Sequence, residues 1–594
     1  MVLSTGVLVS CGGSSTSSVV SSSSKSSSQV SSSAVSSSSS VLSSNASSSS
    51  SSIAATLTAK VVDRYAFLPA SKDTMTLYFK EGAPDFPYIK LDSDSCSLIS
   101  LFLGYSAESF TATSADQKVI ITTPKKNYAT VDFVNKKITY DDFDSFYITP
   151  AAWTPLDSIA ETGFNSKKEA QYIERESGSF YLRGEKQATQ LDLGAYDIPM
   201  IYEDGAGYLP FATFADVFIN PTNGGLNYNG QSVFIFSNFS DLKDLFYTPT
   251  PTGKVSEALA KYNYNELCFN FDTFYGLFDK RGLTSFDDYF DRLGFKEDML
   301  STDTLKSETA QVKAIFKGFS ESHSGIVHGS AYTGSTFQPL SKEYYGPSLA
   351  KHFEEQKAFY AARTAGLGAS YLPYQEVNDT AFITFDQFLT NGVTDYYTTP
   401  ATLETAGTNT YALVEYAHSQ INRASSPIKK VVVDLSCNGG GAVDAAVYLA
   451  SWMTGDAEIS IQDHLTGAKG TNIYKADINM DRVFDDKDNL LDKKVYCLTS
   501  PCSFSCGNLV PFLCKAAGNV TLLGQTTGGG ACEVSKLNTA LGATGQFSGR
   551  DVICTLKNGI YSDVDDGVEP HVWLNDKASY YNRSELAKYL DTLK

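Results

Sequence analysis

The sequence predicts an α/β layered core in its C-terminal part, preceded by a helical stretch and, before that, a β-rich region. Three observations carry this. Apolar strand-like runs alternate with helical patterns from residue 375 onward. Apolar residues recur at third and fourth positions over 255–330. Period-two alternation broken by turn residues marks 55–250.

In the last third, Thr380–Phe385, Ile428–Asp434, Lys494–Thr499 and Asn519–Gly524 read as strands. Thr410–Asn422, Gly441–Met453 and Cys506–Ala517 read as the helices between them. Strand–helix–strand order implies crossover units on a buried, largely parallel sheet. Residues 456–493, rich in Asp and Lys, read as a surface insertion. Over 255–330, Leu259, Tyr262, Leu267, Phe271, Tyr275 and Phe278 form an apolar helical face, and Ala310–Phe319 forms another. This helical subdomain ends at the polar loop Ser320-Glu-Ser-His-Ser-Gly325.

In 55–250, Lys118–Thr123 is a strand, and Thr130–Tyr140 alternates around Asn135-Lys-Lys137, a hairpin pattern. A faint internal repeat is present. Phe86–Leu91 is followed by a helix-like stretch and strands, and Gly207–Phe211 by Ala212–Phe218 and then Leu226–Phe236. The order is similar to a small repeat domain found in some copper amine oxidases and in many cell-envelope proteins. It brings no metal ligands, so the region reads as an accessory or binding module.

The N-terminus reads as export. Leu8-Val-Ser-Cys11 resembles the lipobox of bacterial lipoproteins, which implies lipidation of Cys11. The cationic start of such a leader does not precede it. Residues 12–54 are dominated by Ser, which cannot bury enough apolar surface to order, and form a tether. The division expected is thus a lipoprotein signal at 1–11, a linker at 12–54, an accessory module at 55–250, a helical subdomain at 255–330 and an α/β core at 331–594. The expected location is the extracellular face of the cell membrane, held by the lipid, with no run long enough to span it. A formal charge of −19 argues against nucleic acid as a partner. The ten Cys read mainly as small buried hydrophobes. Cys502 and Cys506 have no second Cys or His pair at ligand spacing, so no metal or cofactor is expected.

Two strand-to-helix junctions carry the chemistry. Val433-Asp-Leu-Ser-Cys-Asn-Gly-Gly-Gly441 lets backbone N–H groups approach an anion at a helix start. It lacks the Gly-Lys-Ser/Thr of a phosphate loop and the spacing of a dinucleotide fingerprint. Thr499–Asn508 places Ser505 where a strand turns into a helix. Locally Ser505 reads either as a helix cap or as an exposed nucleophile over an oxyanion-binding N-terminus.

Together the junctions resemble the C-terminal-processing (tail-specific) serine peptidases and their tricorn-core branch. That family carries Asp-Leu-Arg-x-Asn-x-Gly-Gly, here Asp434–Gly441. It then carries a turn ending Ser-Ala-Gly/Ser-Glu, here Ser505–Asn508. A Gly-x-x-Thr-x-Gly-Lys-Gly turn follows, here Gly524–Gly530, and Gly-Val-x-Pro-Asp, here Gly567–His571. The resemblance covers about 255–594, without a PDZ-like segment. It implies a ClpP/crotonase-like core and hydrolysis of peptides or proteins by acyl-enzyme chemistry, with Ser505 as nucleophile.

The departures matter. The Lys of the Ser–Lys dyad is Gly529 here, so the resemblance passes to the Ser–His branch, with His323 as general base. There a neighbouring Ser, here Ser322, and an acid near the C-terminal motif orient the His. Asp565 fits that acid ahead of Glu569 and Asp563. The oxyanion donors implied are Cys506 N–H and one of Gly439 or Gly440. Asn508 replaces the family's Glu and His571 its Asp, which leaves open a non-catalytic scaffold that binds through 55–250. An acyl-CoA enzyme on a related core is disfavoured by export. His328, His352, His418, His464 and His571 read as surface or core residues.

Overall fold

The computed structural model describes residues 57–150, 152–157, 159, 172–184, 188–335, 337, 345–390, 395–557 and 560–593. The signal, the lipidation position Cys11 and the whole Ser-rich linker at 12–54 lie outside them.

The C-terminal core is a six-stranded sheet. In chain order and in space it runs β1 Tyr374–Val377, β2 Thr380–Thr384, β3 Lys430–Asp434, β4 Lys494–Thr499, β5 Val520–Gly524 and β6 Val572–Trp573. β1 pairs with β2 antiparallel, and every later pairing is parallel. Helices α1 Thr410–Ile421, α2 Val443–Thr454 and α3 Cys506–Ala517 make the crossovers. The central strands β2–β5 are buried on both faces. Val431 and Val433 pack with α1–α3, whereas Val432 faces Phe359, Tyr580 and Tyr581 on the other side. That two-sided burial is why these strands read as unbroken apolar runs.

A second, eight-stranded antiparallel sheet lies beside it, built on the long strand Thr544–Lys557. Here the structure corrects the reading of 456–493 as a surface insertion. Ala457–Asp463 and Lys469–Ala476 form an antiparallel pair within this sheet, and Ala457, Ile459 and Ile461 are buried. The alternation of those three residues is the strand signal that the flanking Asp and Lys obscured. Asp463 itself is buried, facing Arg550, which also binds Asp144 Oδ1 at 2.8 Å. Asp144 belongs to the helix Phe143–Phe146 of the N-terminal region. Ile173–Arg175 and Phe180–Leu182 likewise pair with Lys469–Ala476, so the N-terminal region contributes strands to this sheet.

The N-terminal region adds a seven-stranded and a five-stranded sheet. The hairpin expected in Thr130–Tyr140 is formed by Tyr128–Asp132 and Lys137–Tyr140. Its turn is set by Asp132 Oδ1, which accepts from Val134 N–H at 3.0 Å and Asn135 N–H at 2.9 Å. The two repeat-like stretches share an order of strand, helix and hairpin, the second one ending in Gly225–Tyr228 and Ser232–Phe236. Helices Glu257–Phe274, Phe286–Arg292, Lys296–Met299 and Thr304–Lys313 follow. The nine described Cys are free and buried. Among the described residues no helix is long and apolar enough to cross a membrane.

Candidate functional site

The two junctions meet. Hydroxyls of the Thr499–Ser503 turn fasten it to the turn after β3. Ser500 Oγ donates to the Ser436 carbonyl at 2.5 Å and Ser503 Oγ to the Leu435 carbonyl at 2.7 Å. Phe504 N–H donates to the Asn438 carbonyl at 3.0 Å. At Gly440 the chains are in contact, since a Cβ there would lie 2.6 Å from Ser505 Cβ. Only a glycine fits, with φ of +105°.

Ser505 precedes α3, but it is not the side-chain cap that its position suggests. Its hydroxyl makes no capping bond, and its backbone stands at φ 55° and ψ −123°. A non-glycine residue in that region costs roughly 1–3 kcal/mol and persists only where its surroundings impose it. Here they do. Ser505 N–H donates to the Gly529 carbonyl at 2.9 Å, and its carbonyl accepts from Asn508 and Leu509 N–H at 2.8 and 2.9 Å. The Cys506 N–H, the first of α3, has no acceptor among the described residues and is aimed where the helix dipole is positive.

His323 lies 4.7 Å from the Phe504 ring, centroid to centroid. Gly530 adjoins both, since a Cβ there would meet Phe504 at 2.8 Å and His323 Cε1 at 3.1 Å. His323 is buried and its Nδ1 has no hydrogen-bond partner among the described residues. Burial lowers its pKa below the usual histidine value, with Glu321 and then Asp565 partly opposing this. Of the three acids weighed for the orienting role, Asp565 is the one that acts on His323; Asp563 instead binds Lys280 at 2.7 Å. Asp565 Oδ1 accepts from Ala531 N–H at 3.2 Å, which holds it against the Gly529–Gly530 turn.

Glu321 was missed by sequence reasoning, although it stands in the quoted loop. Its carboxylate accepts from His323 N–H at 2.9 Å, from Ser324 Oγ and from Ser548 Oγ at 3.1 Å. The loop is thus anchored to the strand Thr544–Lys557 through Glu321 and Ser324. Ser322, expected to orient the His, makes none of these bonds. His352, read from the sequence as a surface or core residue, packs beside the site. Its ring stands 5.6 Å from the Phe504 ring, which His323 also contacts, and it hydrogen-bonds the Pro501 carbonyl. No spacing in the sequence signals this, because helix Pro347–Leu367 meets Phe504 only through the fold.

The oxyanion cradle needs a correction. Gly439 N–H donates to the Asp386 carbonyl at 3.0 Å and Gly440 N–H to Asn438 Oδ1 at 2.9 Å. Neither is a free donor here, because the turn closes on its own Asn side chain. Cys506 N–H alone of the three expected donors is unengaged.

The departures from the family pattern have physical reasons. Gly529 cannot carry a Lys, because a Cβ would fall 1.8 Å from the Asp565 carbonyl oxygen at a φ of +81°. Asn508 is buried, donates to the Val564 carbonyl at 3.0 Å and accepts from Thr527 Oγ1 at 2.6 Å. It clamps the loop that carries Asp565 to α3 without a buried charge. His571 pairs with Leu522 through backbone and Nδ1 and has no place in the site.

Residues 379–548, which span β2 to the middle of Thr544–Lys557 and hold both junctions, match the model of peptidase family S41. Among solved structures, the chain is similar to a protein of Parabacteroides merdae ATCC 43184 described as a candidate peptidase. The two are 17% identical, over 56% of this chain and 99% of that one, with a TM-score of 0.39. It is similar to a lipoprotein from Streptococcus agalactiae at 15% identity, over 58% of this chain and 98% of that one, with a TM-score of 0.33. It is similar to the photosystem II D1 C-terminal processing protease at 16% identity, over 34% and 45%, with a TM-score of 0.25. No curated protein matches the sequence. The strand–turn–helix junctions around Gly440 and Ser505 thus both fall inside the stretch, residues 379–548, that matches the model of peptidase family S41.

Proposed function

We propose that the protein is an extracytoplasmic serine endopeptidase, anchored by a lipid on Cys11, with Ser505 as nucleophile and His323 as general base. The observation that carries this is the backbone of Ser505, held at φ 55° and ψ −123° over a helix N-terminus with its hydroxyl uncommitted to a cap. His323 takes the Ser505 proton as Oγ attacks the scissile carbonyl, then returns it to the leaving amine. Glu321 and then Asp565 stabilise the imidazolium formed in between. Cys506 N–H receives the oxyanion, and rotation of Asn438 away from Gly440 N–H would supply a second donor on substrate binding. The competing reading is a binding lipoprotein on a peptidase fold. The engaged Gly439 and Gly440 N–H groups favour it.

Hydrolysis of an unfolded protein such as casein separates the two. The peptidase reading expects cleavage that His323→Ala abolishes; a folded wild-type chain that cleaves nothing supports the scaffold. The pH profile follows from the base. The neutral imidazole is the competent form, and burial disfavours the charged one. Activity therefore persists as pH falls through about 6.5 and is lost only below it. An acid limb of kcat/KM above that value would contradict this assignment. For the anchor, Cys11→Ala is expected to move the protein from the membrane fraction to the soluble one. An unchanged distribution would remove Cys11 from the account.

A further inference from the structure

A buried set of oxygen atoms, remote in sequence from the Ser505 turn, has no role in hydrolysis. Asp216 belongs to the π-helical turn Ala215–Ile219, and Glu266 to the helix Glu257–Phe274. Both are 0% exposed. The side chains that act on them are each other, Asn220 and Asn270, none of them a cation. Desolvation pushes the Asp216 carboxyl well above its ordinary range and Glu266 up to about 7.

Amides stand one helical turn on from each acid. Asn220 donates its Nδ2 to Asp216 Oδ1, and its own Oδ1 accepts from Asn538 Nδ2 at 3.0 Å. Asn270, 1% exposed, is turned toward the Asp216 carboxyl. Yet neither its Oδ1 nor its Nδ2 finds a hydrogen-bond partner among the described residues. The same holds for Asp216 Oδ2, both oxygens of Glu266 and Asn538 Oδ1. Buried polar atoms are rarely left this way, and two adjoining buried carboxyls must either share protons or have a positive charge between them. A shared proton serves one oxygen pair. It leaves the other Glu266 oxygen and the Asn270 oxygen unmatched, whereas one metal ion would serve the three side chains of Asp216, Glu266 and Asn270.

We infer that Asp216, Glu266 and Asn270, with Asn538 behind them, form a calcium site. The two carboxylates balance a divalent charge. The donors are oxygens alone, which suits Ca²⁺ and not zinc. Mg²⁺ holds its waters too tightly for so dry a set. No group of three His, Cys, Asp or Glu side chains is placed to hold a metal among the described residues; this donor set is two carboxylates completed by amides. The ion would join three elements: the Ala215–Ile219 turn, the Glu257–Phe274 helix and the strand Cys532–Asn538. That strand leaves the Gly529–Gly530 turn beside His323. Calcium would therefore fix the N-terminal region to the framework of the hydrolytic site.

The test uses the full chain, stripped with EGTA and desalted, then melted in millimolar CaCl₂, millimolar MgCl₂ or EGTA, with metal content read by mass spectrometry. The expected result is about one calcium ion per chain and a Tm in CaCl₂ higher by about 3 °C or more than in EGTA, with no such rise in MgCl₂. Asp216→Asn and Glu266→Gln are expected to lose the calcium-dependent rise, whatever their Tm in EGTA. Equal Tm in CaCl₂ and EGTA with no retained metal overturns the inference in favour of a shared proton and buried water, and an equal response to MgCl₂ overturns the choice of ion. The wild-type readings decide even if a variant fails to fold. None of them requires catalysis, so this inference and the peptidase reading can fail separately.

Discussion

Replacing Ser505 with Ala is expected to lower the hydrolytic rate by on the order of 10⁴-fold or more, because the nucleophile has no substitute in the turn. Stability should change by no more than about 0.5 kcal/mol, since Ala endures the same backbone. Ser505→Gly should be equally inactive but more stable by about 1 kcal/mol, because glycine relieves the strain at φ 55°. Urea unfolding of the pair, run beside the hydrolysis assay, checks both parts. If Ser505→Gly were no more stable than wild type, the backbone at this position would not be held under strain.

The second large effect is structural. Arg550→Met is expected to destabilise the fold by about 3–5 kcal/mol, because it strands two buried carboxylates. Arg550 is 7% exposed, lies over the Phe143 ring at 4.8 Å, and faces both Asp144 and Asp463. Thr466 reinforces the group, its Oγ1 donating to Asp144 Oδ2 at 2.8 Å and its N–H to Asp463 Oδ1 at 2.6 Å. Adding Asp144→Asn and Asp463→Asn to Arg550→Met should recover much of the loss, since the uncompensated charges are then gone. A urea midpoint unchanged in the single variant would show that the cluster does not hold the N-terminal helix to the eight-stranded sheet.

Much of the C-terminal α/β core was legible because its signals are local. β3 and β4 are short apolar runs, and α1 and α2 have helical periodicity. The Gly-rich and Ser-rich junctions fall where strand turns into helix. What escaped was non-local. The strand Ala457–Asp463 was hidden by Asp and Lys whose charge matters only once Arg550 is brought opposite. Glu321 lay in plain view, but its task appears only when Ser548, far along the chain, supplies the strand to which it binds the loop. His352 reaches Phe504 through a helix whose packing no spacing announces. The Gly439 and Gly440 donors follow from the family pattern, yet Asn438 and Asp386 take them up through turn geometry that composition does not encode. Gly529 shows the reverse. Its departure from the family was visible at once, and the Asp565 carbonyl at 1.8 Å from a would-be Cβ explains why no Lys can stand there.

The central claim is that Ser505 is a nucleophile activated by His323, and a fluorophosphonate probe tests it most directly. The folded wild-type chain, treated with the probe and digested, is expected to carry one adduct, mapped by mass spectrometry to Ser505. It should be absent in Ser505→Ala and formed far more slowly in His323→Ala. A folded wild type that takes no adduct, or one labelled equally after Ser505→Ala, would contradict it.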